Sequence, residues 1–402
     1  MKVGIIGAGA SGMMAAITAA KNGHDVTILE HNDIVGKKIL ATGNGKCNFT
    51  NTNMGADFYS KSSKSLFNNI YNQFDLEKTL EFFKGIGILP YCKNGYYYPR
   101  SEQAKSVVEC LISELKRRGV KLVTGCEIVK IVTRGGFSVY TLDDKTYNFD
   151  KLIIAAGSNA MPKSGSDGSG YGLAIKLGHT VKKPLPALCG LKCTGADFKE
   201  LSGVRCQAKV KLETLIGESI EDIGELQHTD YGISGIPVFQ ISGEALRRLD
   251  EGMEVSIVVD YAPDYSYEEL VDYLKTRADE LKDADIVNFL DGMFNSKLCE
   301  YFIIEAYSER NGHVASICKD YLIERLAKVI KKQRYFVKGH RGFDHCQTCT
   351  GGIPCNEVKN TLESNIVNGL YFAGEILDVD GICGGYNLQW AWSSGYVAGR
   401  LL

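Results

Sequence analysis

Six residues near the start of the chain, Gly7-Ala-Gly9-Ala-Ser-Gly12, constrain its fold more than any other stretch. They stand between an apolar, partly β-branched run, Lys2-Val-Gly-Ile-Ile6, and an Ala-rich segment from Met13 to Asn22 that reads as a helix. Gly23 ends that helix, and Asp25-Val-Thr-Ile-Leu-Glu30 reads as a second strand closed by an acid. Glu30 follows Gly7 by 23 residues, near the spacing of about 20 found in dinucleotide-binding βαβ units. In such a unit Gly7 makes the tight turn, Gly9 lets backbone approach a pyrophosphate, and Gly12 lets helix and strand pack closely. Ala10 and Ser11 lie between them, where the helix N-terminus offers N–H groups and a positive dipole end to phosphates. A carboxylate at position 30 suits ribose hydroxyls and disfavours a 2′-phosphate, so FAD or NAD is expected rather than NADP. The glycines also dispose of a rival reading. Val3 to Ala20 carries no charge, but glycines at 4, 7, 9 and 12 argue against a signal or membrane helix, and no A-x-A-like cleavage site follows.

The segment after the second strand separates FAD from NAD. Gly36-Lys-Lys-Ile-Leu-Ala-Thr-Gly-Asn-Gly-Lys-Cys-Asn-Phe-Thr-Asn51 is polar and glycine-rich where an NAD domain would continue into its next βα unit. Its amides and cations suit a second phosphate, ribityl hydroxyls or a flavin edge. Near the other end, Gly369-Leu-Tyr-Phe-Ala-Gly374 reads as a strand ending in glycine, with Glu375 placed to accept from ribityl hydroxyls. Gly384-Gly-Tyr-Asn-Leu-Gln then opens a helix rich in Ala, Ser and Gly.

On these residues the chain resembles the YhiN/BaiN-like flavoproteins, also described as aminoacetone-oxidase-like FAD oxidoreductases. Their pattern G-R-K-x-L-x-(S/T)-G-x-G-R-C-N-x-T-N is met here with Lys37 and Lys46 in place of the two arginines. Further stretches resemble the family in order: Tyr98 to Ala104, Ala155 to Ser158, Pro162 to His179, Thr229 to Pro237 (Asp230 standing for His), Gly369 to Gly381 and Gly384 to Gly395. The resemblance implies a non-covalent FAD held by Lys38, Thr42, Gly43, Gly45, Cys47, Asn48, Val129, Ala156, Gly157, Gly374, Glu375, Asp380, Asn387 and Leu388, besides the N-terminal motif. It also implies that the last helix's N-terminal amides stabilise charge on the reduced ring.

An insertion is expected between the halves. Ala208-Lys-Val-Lys-Leu-Glu-Thr-Leu and Met253-Glu-Val-Ser-Ile-Val-Val alternate like strands. Ser266-Tyr-Glu-Glu269 is a capping box. Helical patterns follow over Asp283 to Gly292 and Ile317 to Lys332, the latter with Ile317, Tyr321, Ile323, Leu326 and Ile330 near one face. The fold class expected is α/β: a Rossmann-type FAD domain (1–185 plus 338–402), an inserted β-barrel-like domain (186–262 plus about 333–337) and a helical domain (263–332). The 402 residues suffice for such a division.

Composition narrows function. Lys and Arg number 46 against 48 acids, net −2, which gives no broad basic footprint for nucleic acid or anionic membrane. Lys116-Arg-Arg118 and Lys331-Lys-Gln-Arg334 read as solvated helix ends. Thirteen cysteines, an odd number, read as reduced thiols in a cytoplasmic protein. His345-Cys346-Gln-Thr-Cys349, with Cys355 beyond, reads as incidental thiols; a redox pair is the alternative. Zinc would want a second C-x-x-C, so no metal is expected. No second complete G-x-G-x-x-G unit exists, so NAD(P)H, if used, must bind transiently over the flavin.

The function expected is FAD-dependent oxidoreduction, foremost NAD(P)H-linked reduction of a conjugated C=C in a small organic substrate such as a steroid or bile acid. The alternatives are oxidation of a small amine such as aminoacetone, and action on RNA. Tyr231 and Tyr386 are the catalytic candidates for proton transfer; His228 and Asp380 stand second to them, Asp380 rather as a cofactor residue. The partner expected is a small molecule, with no nucleic acid and no membrane, in a monomer or homodimer.

Overall fold

Val3, Gly4, Ile5 and Ile6 of the strand Lys2–Ile6 are all buried, because the strand runs through the middle of a parallel sheet whose two faces are covered. The structure is a computed structural model and describes residues 1–213, 219–308, 312–317 and 319–402, the side chain of Val287 excepted. Lys2–Ile6 pairs in parallel with Asp25–Leu29 on one side and Lys151–Ile154 on the other. Lys121–Val123 and Leu370–Phe372 complete the five strands. Numbered as the chain meets them, they stand 3-2-1-4-5, the order of a dinucleotide-binding Rossmann sheet.

The helix Ala10–Lys21 is buried nearly all round because a second helix, Tyr386–Gly399, lies along it. Glycine makes that approach possible. A Cβ on Gly395 would stand 2.4 Å from the carbonyl oxygen of Ser11, and one on Gly399 would stand 2.4 Å from that of Ala15. Both distances are backbone clashes that no side-chain rotation relieves.

The chain forms two compact units, Met1–Pro186 with Phe343–Leu402, and Ala187–Gly342. The second holds a closed barrel of six strands, ordered Leu191–Thr194, Gly232–Ser234, Ile220–Thr229, Arg205–Leu212, Ser256–Asp260 and Gln333–His340. Alternate residues fill its interior: Ala208, Val210 and Leu212 on one strand, Ile257 and Val259 on the next, Tyr335 and Val337 on the last. Thr214 and Leu215, expected to extend the Ala208 strand, lie outside the described residues. The capping box is present as read, with Ser266 and Glu269 exchanging hydrogen bonds at the start of Tyr267–Glu280.

Three helical expectations need correction. Ile236–Asp250, within a stretch read as strands, is a helix opened by Gly235 and Pro237, with Val238, Ile241, Ala245 and Leu246 inward at helical spacing. Asp283 to Gly292 holds only the 3-10 turn Ile286–Asn288; the helix comes later, at Ser296–Tyr307, where the Asn295 side chain accepts from the Lys297 N–H. The last inserted helix is Asp320–Lys331, with Ile323, Leu326, Ala327 and Ile330 buried while Tyr321 is 62% exposed; Cys318 lies outside the described residues. No helix among the described residues is long and apolar enough to cross a membrane.

Replacing Gly395 by Ala is expected to lower stability by about 1–3 kcal/mol, since the added methyl meets backbone. The control is Gly85→Ala, at the end of an exposed helix with open space around its Cβ position, expected to stabilise by about 0.5–1 kcal/mol. Thermal unfolding midpoints moving in opposite directions would bear this out.

Candidate flavin site

The first turn of the Rossmann unit is set by three glycines with three different surroundings. Gly7, at φ +100°, would bring a Cβ within 2.5 Å of the Ala155 carbonyl, and Gly12 would bring one within 2.0 Å of the Gly7 carbonyl. Gly9, the N-cap of Ala10–Lys21, faces open space: nothing lies within 4 Å of where its Cβ would be. Two glycines thus close the turn and the third leaves a cradle. Met13 N–H makes the first bond inside the helix, to Gly9 at 3.0 Å, so the N–H groups of Ala10, Ser11 and Gly12 have no partner within it. Glu30 is buried at the end of its strand, as the ribose reading requires, yet much of it is engaged. Its Oε2 accepts from the Ala8 N–H (2.7 Å) and its Oε1 from the Asn32 backbone and side-chain N–H groups (2.9 Å each). A carboxylate offers about four acceptor positions, which leaves one for a hydroxyl.

The loop after the second strand folds into a short helix, Lys37–Ala41, and a tight turn, Thr42–Gly45. Gly43 (φ +55°) and Gly45 (φ +80°) are left-handed; Gly43 presses on the Asn48 N–H, and Gly45 faces open space. The Thr42 hydroxyl donates to the Ile39 carbonyl at 2.6 Å. Cys47 is fully buried and left-handed, and burial pushes its thiol up to about 12, so it packs as a protonated group. Asn48 is more telling. Its Oδ1 is buried with no hydrogen-bond partner, 3.0 Å from where a Cβ on Gly385 would lie. A buried orphan acceptor beside an N-cap glycine asks for a donor.

The C-terminal signature meets this loop. Gly374 (φ +80°) packs against Ser11, whose hydroxyl donates to the Ala373 carbonyl at 3.3 Å. The Glu375 carboxylate takes the Lys38 ammonium at 2.6 Å and the Ser158 hydroxyl at 3.0 Å on the same oxygen. Ser158 was not among the expected residues; its signal was its place directly after Ala156 and Gly157 (φ +76°), in the turn that ends the strand Lys151–Ile154. In Tyr386–Gly399, Gln389 N–H bonds the Gly385 carbonyl, so the N–H groups of Tyr386, Asn387 and Leu388 have no partner inside the helix. The Asn387 side chain is spent on the preceding loop, through the Gly381 N–H and carbonyl, both at 2.9 Å. Only its backbone can serve a ligand. Asp380 is half-buried, its carbonyl accepting from the Ser60 N–H. Asp378, buried two residues earlier, does the bracing, binding Lys182 at 2.6 Å and the Gly351 N–H at 3.1 Å.

Four further candidates have other surroundings. Val129 is exposed on the antiparallel strand Ile128–Thr133, its carbonyl 3.4 Å from the Lys176 ammonium. The Tyr386 hydroxyl donates to the Asn53 carbonyl at 3.0 Å, and burial pushes it up to about 12. Tyr231 belongs to the inserted unit, with the Arg341 guanidinium over its ring at 5.0 Å. His228 is fully buried inside the barrel, its Nε2 2.8 Å from the Tyr261 hydroxyl and its Nδ1 without a partner; burial holds it neutral, with a pKa lowered to about 4. It is a core histidine of the barrel.

One constellation imitates a nucleophile site. His179 joins Glu357 (2.7 Å) to Ser364 (2.8 Å), but the Ser364 Oγ also accepts from the Ile366 and Val367 N–H groups and is buried. It closes a turn. Among the described residues no group of three or more His, Cys, Asp or Glu is placed to hold a metal ion.

A Rossmann sheet, an open glycine cradle at a helix N-terminus and an orphan acceptor beside a second helix N-terminus suit a nucleotide joined to a polar ring. They define a class, the Rossmann-type flavin-binding oxidoreductases. When bound, a flavin would supply the two-electron chemistry, and Gly9, Glu30, Lys38, Asn48, Glu375 and the two helix N-termini are the groups that would hold it. A family described as the HI0933-like protein Rossmann domain matches residues 1–401, and the chain belongs to it. It is 44% identical over 404 residues to a 3-dehydro-bile acid delta(4,6)-reductase of Clostridium scindens, covering 99% of this chain and 98% of that one. It is 30% identical over 399 residues to a ribosomal RNA dihydrouridine synthase of Haemophilus influenzae, covering 98% and 96%. The fold is similar, at 12% identity and a TM-score of 0.50, to a 3-ketosteroid delta1-dehydrogenase of Sterolibacterium denitrificans, over 99% and 98% of the two chains. The protein is thus an FAD-dependent oxidoreductase.

Gly9→Ala is expected to fold, because its methyl enters open space, yet to bind FAD at least about tenfold more weakly, about 1.4 kcal/mol. Flavin retention on gel filtration and the unfolding midpoint of the apoprotein check the two halves separately. A second expectation concerns pH. The unfolded imidazole of His228 takes its proton near 6.5, the folded one only near 4, so the unfolded chain binds more protons in between and stability falls as pH drops through that window. At pH 5 the loss from this group is about 2 kcal/mol. Urea unfolding at pH 7 and pH 5 should show a drop larger by that amount in the unaltered protein than in His228→Gln.

Proposed function

We propose that the protein uses NAD(P)H to reduce a carbon–carbon double bond conjugated to a carbonyl in a small organic substrate, with a 3-oxo steroid or bile acid as the first class to try. The observation that carries this reading is 44% identity, end to end, to a bile-acid delta(4,6)-reductase. Local chemistry supports it. Reducing such a bond needs a hydride donor, stabilisation of negative charge on the reduced ring that gives the hydride, and a proton source. The unsatisfied amides of Tyr386, Asn387 and Leu388 supply the second. For the third, the Tyr386 hydroxyl is spent on Asn53, so the role falls to Tyr231. The nicotinamide is taken to bind transiently over the flavin, which is held non-covalently.

A second reading has its own support, in the 30% identity to a ribosomal RNA dihydrouridine synthase. Both relatives' names denote saturation of a carbon–carbon double bond, so the two readings share the chemistry and differ in what carries the bond. Near-balanced charge, net −2, favours the small molecule, because RNA binding draws mainly on cationic contacts with phosphates.

The test is anaerobic. The flavin band at about 450 nm should bleach on mixing with NADH or NADPH and recover when a 3-oxo-4,6-diene steroid is added. Bleaching by small amines alone would move the protein to amine oxidation. Recovery with undermodified ribosomal RNA but not with the steroid would favour the RNA reading. Tyr231→Phe should slow the recovery about 10²-fold while leaving flavin content unchanged, and Tyr386→Phe should slow it far less.

A further inference from the structure

Asn94 and Gly95, both left-handed (φ +52° and +86°), form the two-residue turn that joins the strands Pro90–Lys93 and Tyr96–Pro99. The turn fixes the register: Lys93 lies opposite Tyr96, Cys92 opposite Tyr97 and Tyr91 opposite Tyr98. Opposed residues share a face of the hairpin, and successive residues alternate between faces. One face therefore carries Cys92 and Tyr97, and Tyr97 packs toward Phe49, with ring centroids 6.4 Å apart. The other carries Tyr91, Lys93, Tyr96 and Tyr98, with the Arg100 guanidinium 5.0 Å over the Tyr91 ring. Tyr96 is 36% exposed, Lys93 and Arg100 are exposed, and Tyr91 and Tyr98 are half-buried.

This face borders the flavin cradle. The Tyr98 ring lies 3.7 Å from where a Cβ on Gly43 would stand, and the Tyr96 ring 2.8 Å from where one on Gly384 would stand. Gly43 presses on the Asn48 N–H, and Gly384 precedes the N-cap Gly385. The charge here is unlike that of the chain. Lys46, from the cradle loop, binds Glu102 at 2.6 Å, so Lys93 and Arg100 leave the neighbourhood net positive on a chain of net −2. Aromatic faces beside exposed cations suit a ligand that joins a flat base to phosphates. Size favours a small one. Four-residue strands span about 13 Å, enough for one nucleoside diphosphate, whereas a platform for single-stranded nucleic acid tracks about 4–16 nucleotides.

We propose that this hairpin face is the docking site of NADH or NADPH, with the adenine on the tyrosines and the diphosphate on Lys93 and Arg100. The inference rests on the proposed use of NAD(P)H and gives the dinucleotide a seat that needs no second Rossmann unit.

Calorimetry of the flavin-loaded protein with ADP-ribose, which lacks the reacting nicotinamide, tests this without turnover. ADP-ribose should bind more weakly as salt rises, and the double variant Lys93→Ala/Arg100→Ala should weaken it at least about tenfold. Tyr91→Leu, which changes no charge, should weaken it about threefold. Stopped-flow bleaching by NADH or NADPH should show the same losses in apparent Kd, with the limiting rate and the flavin content unchanged. Equal ADP-ribose affinity in the double variant, or no binding to the unaltered protein, would overturn the proposal. Loss of flavin from the double variant would also overturn it, since the face would then belong to the flavin's own seat. So would capture of a single-stranded oligoribonucleotide, abolished in the double variant, with ADP-ribose unbound. If ADP-ribose binds as expected but neither nicotinamide bleaches the flavin, the reductase reading fails and the docking face stands.

Discussion

Backbone laid directly on backbone is the constraint on which the first unit depends. The helix Ala10–Lys21 is gripped at its start by Gly12 against the Gly7 carbonyl, and along its length by Gly395 and Gly399 against the carbonyls of Ser11 and Ala15. Nothing larger than hydrogen fits at these points, and the interior around them is close-packed. The consequence is geometric. Two helix N-termini, at Gly9 and at Gly385, are held by one rigid stack, and Gly374 against Ser11 ties the last sheet strand to the same helix. A ligand spanning phosphates and ring meets donors whose positions are set before it arrives, so less ordering is required on binding.

Much of this was legible in the residues. The strand–turn–helix–strand run to Glu30 needs specific glycines at specific places, and residues that have only one structural reading can be recognised without coordinates. The capping box at Ser266 is legible for the same reason. The inserted helices were less so. Ile236–Asp250 begins behind a Gly-rich turn with Pro at its start, and its period was masked by the alternating strands on either side. Ser296–Tyr307 buries Cys299 and Ala306 beside larger apolar residues, which blurs the apolar stripe, while Asp283 to Gly292 supplies a helical spacing that becomes a turn.

The site divides along the same line. Positions defined by backbone, Gly7, Gly12, Gly43 and Gly374, could be read because positive φ or close approach leaves glycine little competition. Positions defined by side-chain commitments could not. Whether Asn387 offers its amide or spends it on Gly381, whether Tyr386 is a donor in waiting or a prop for Asn53, and whether Asp378 or Asp380 braces the loop all depend on which neighbours the folded chain brings within reach, six residues away for Asn387 and hundreds for Tyr386. Ser158 shows the converse: an ordinary serine after a glycine becomes a ligand of Glu375, beside the Lys38 ammonium, only because residues far apart in the chain converge on that carboxylate.

The first unit is also split in sequence, left at Pro186 and rejoined at Phe343. During synthesis, four strands of its sheet emerge early, while the fifth, Leu370–Phe372, and the helix that covers Ala10–Lys21 emerge last. For most of translation the early strands stand with an unpaired edge at Lys151–Ile154 and an uncovered apolar helix, the state in which chains aggregate. The whole inserted unit, by contrast, is contiguous and free to fold on the ribosome. Its folding shortens the effective loop between Pro186 and Phe343, lowering the entropy of closure that the late strand must overcome.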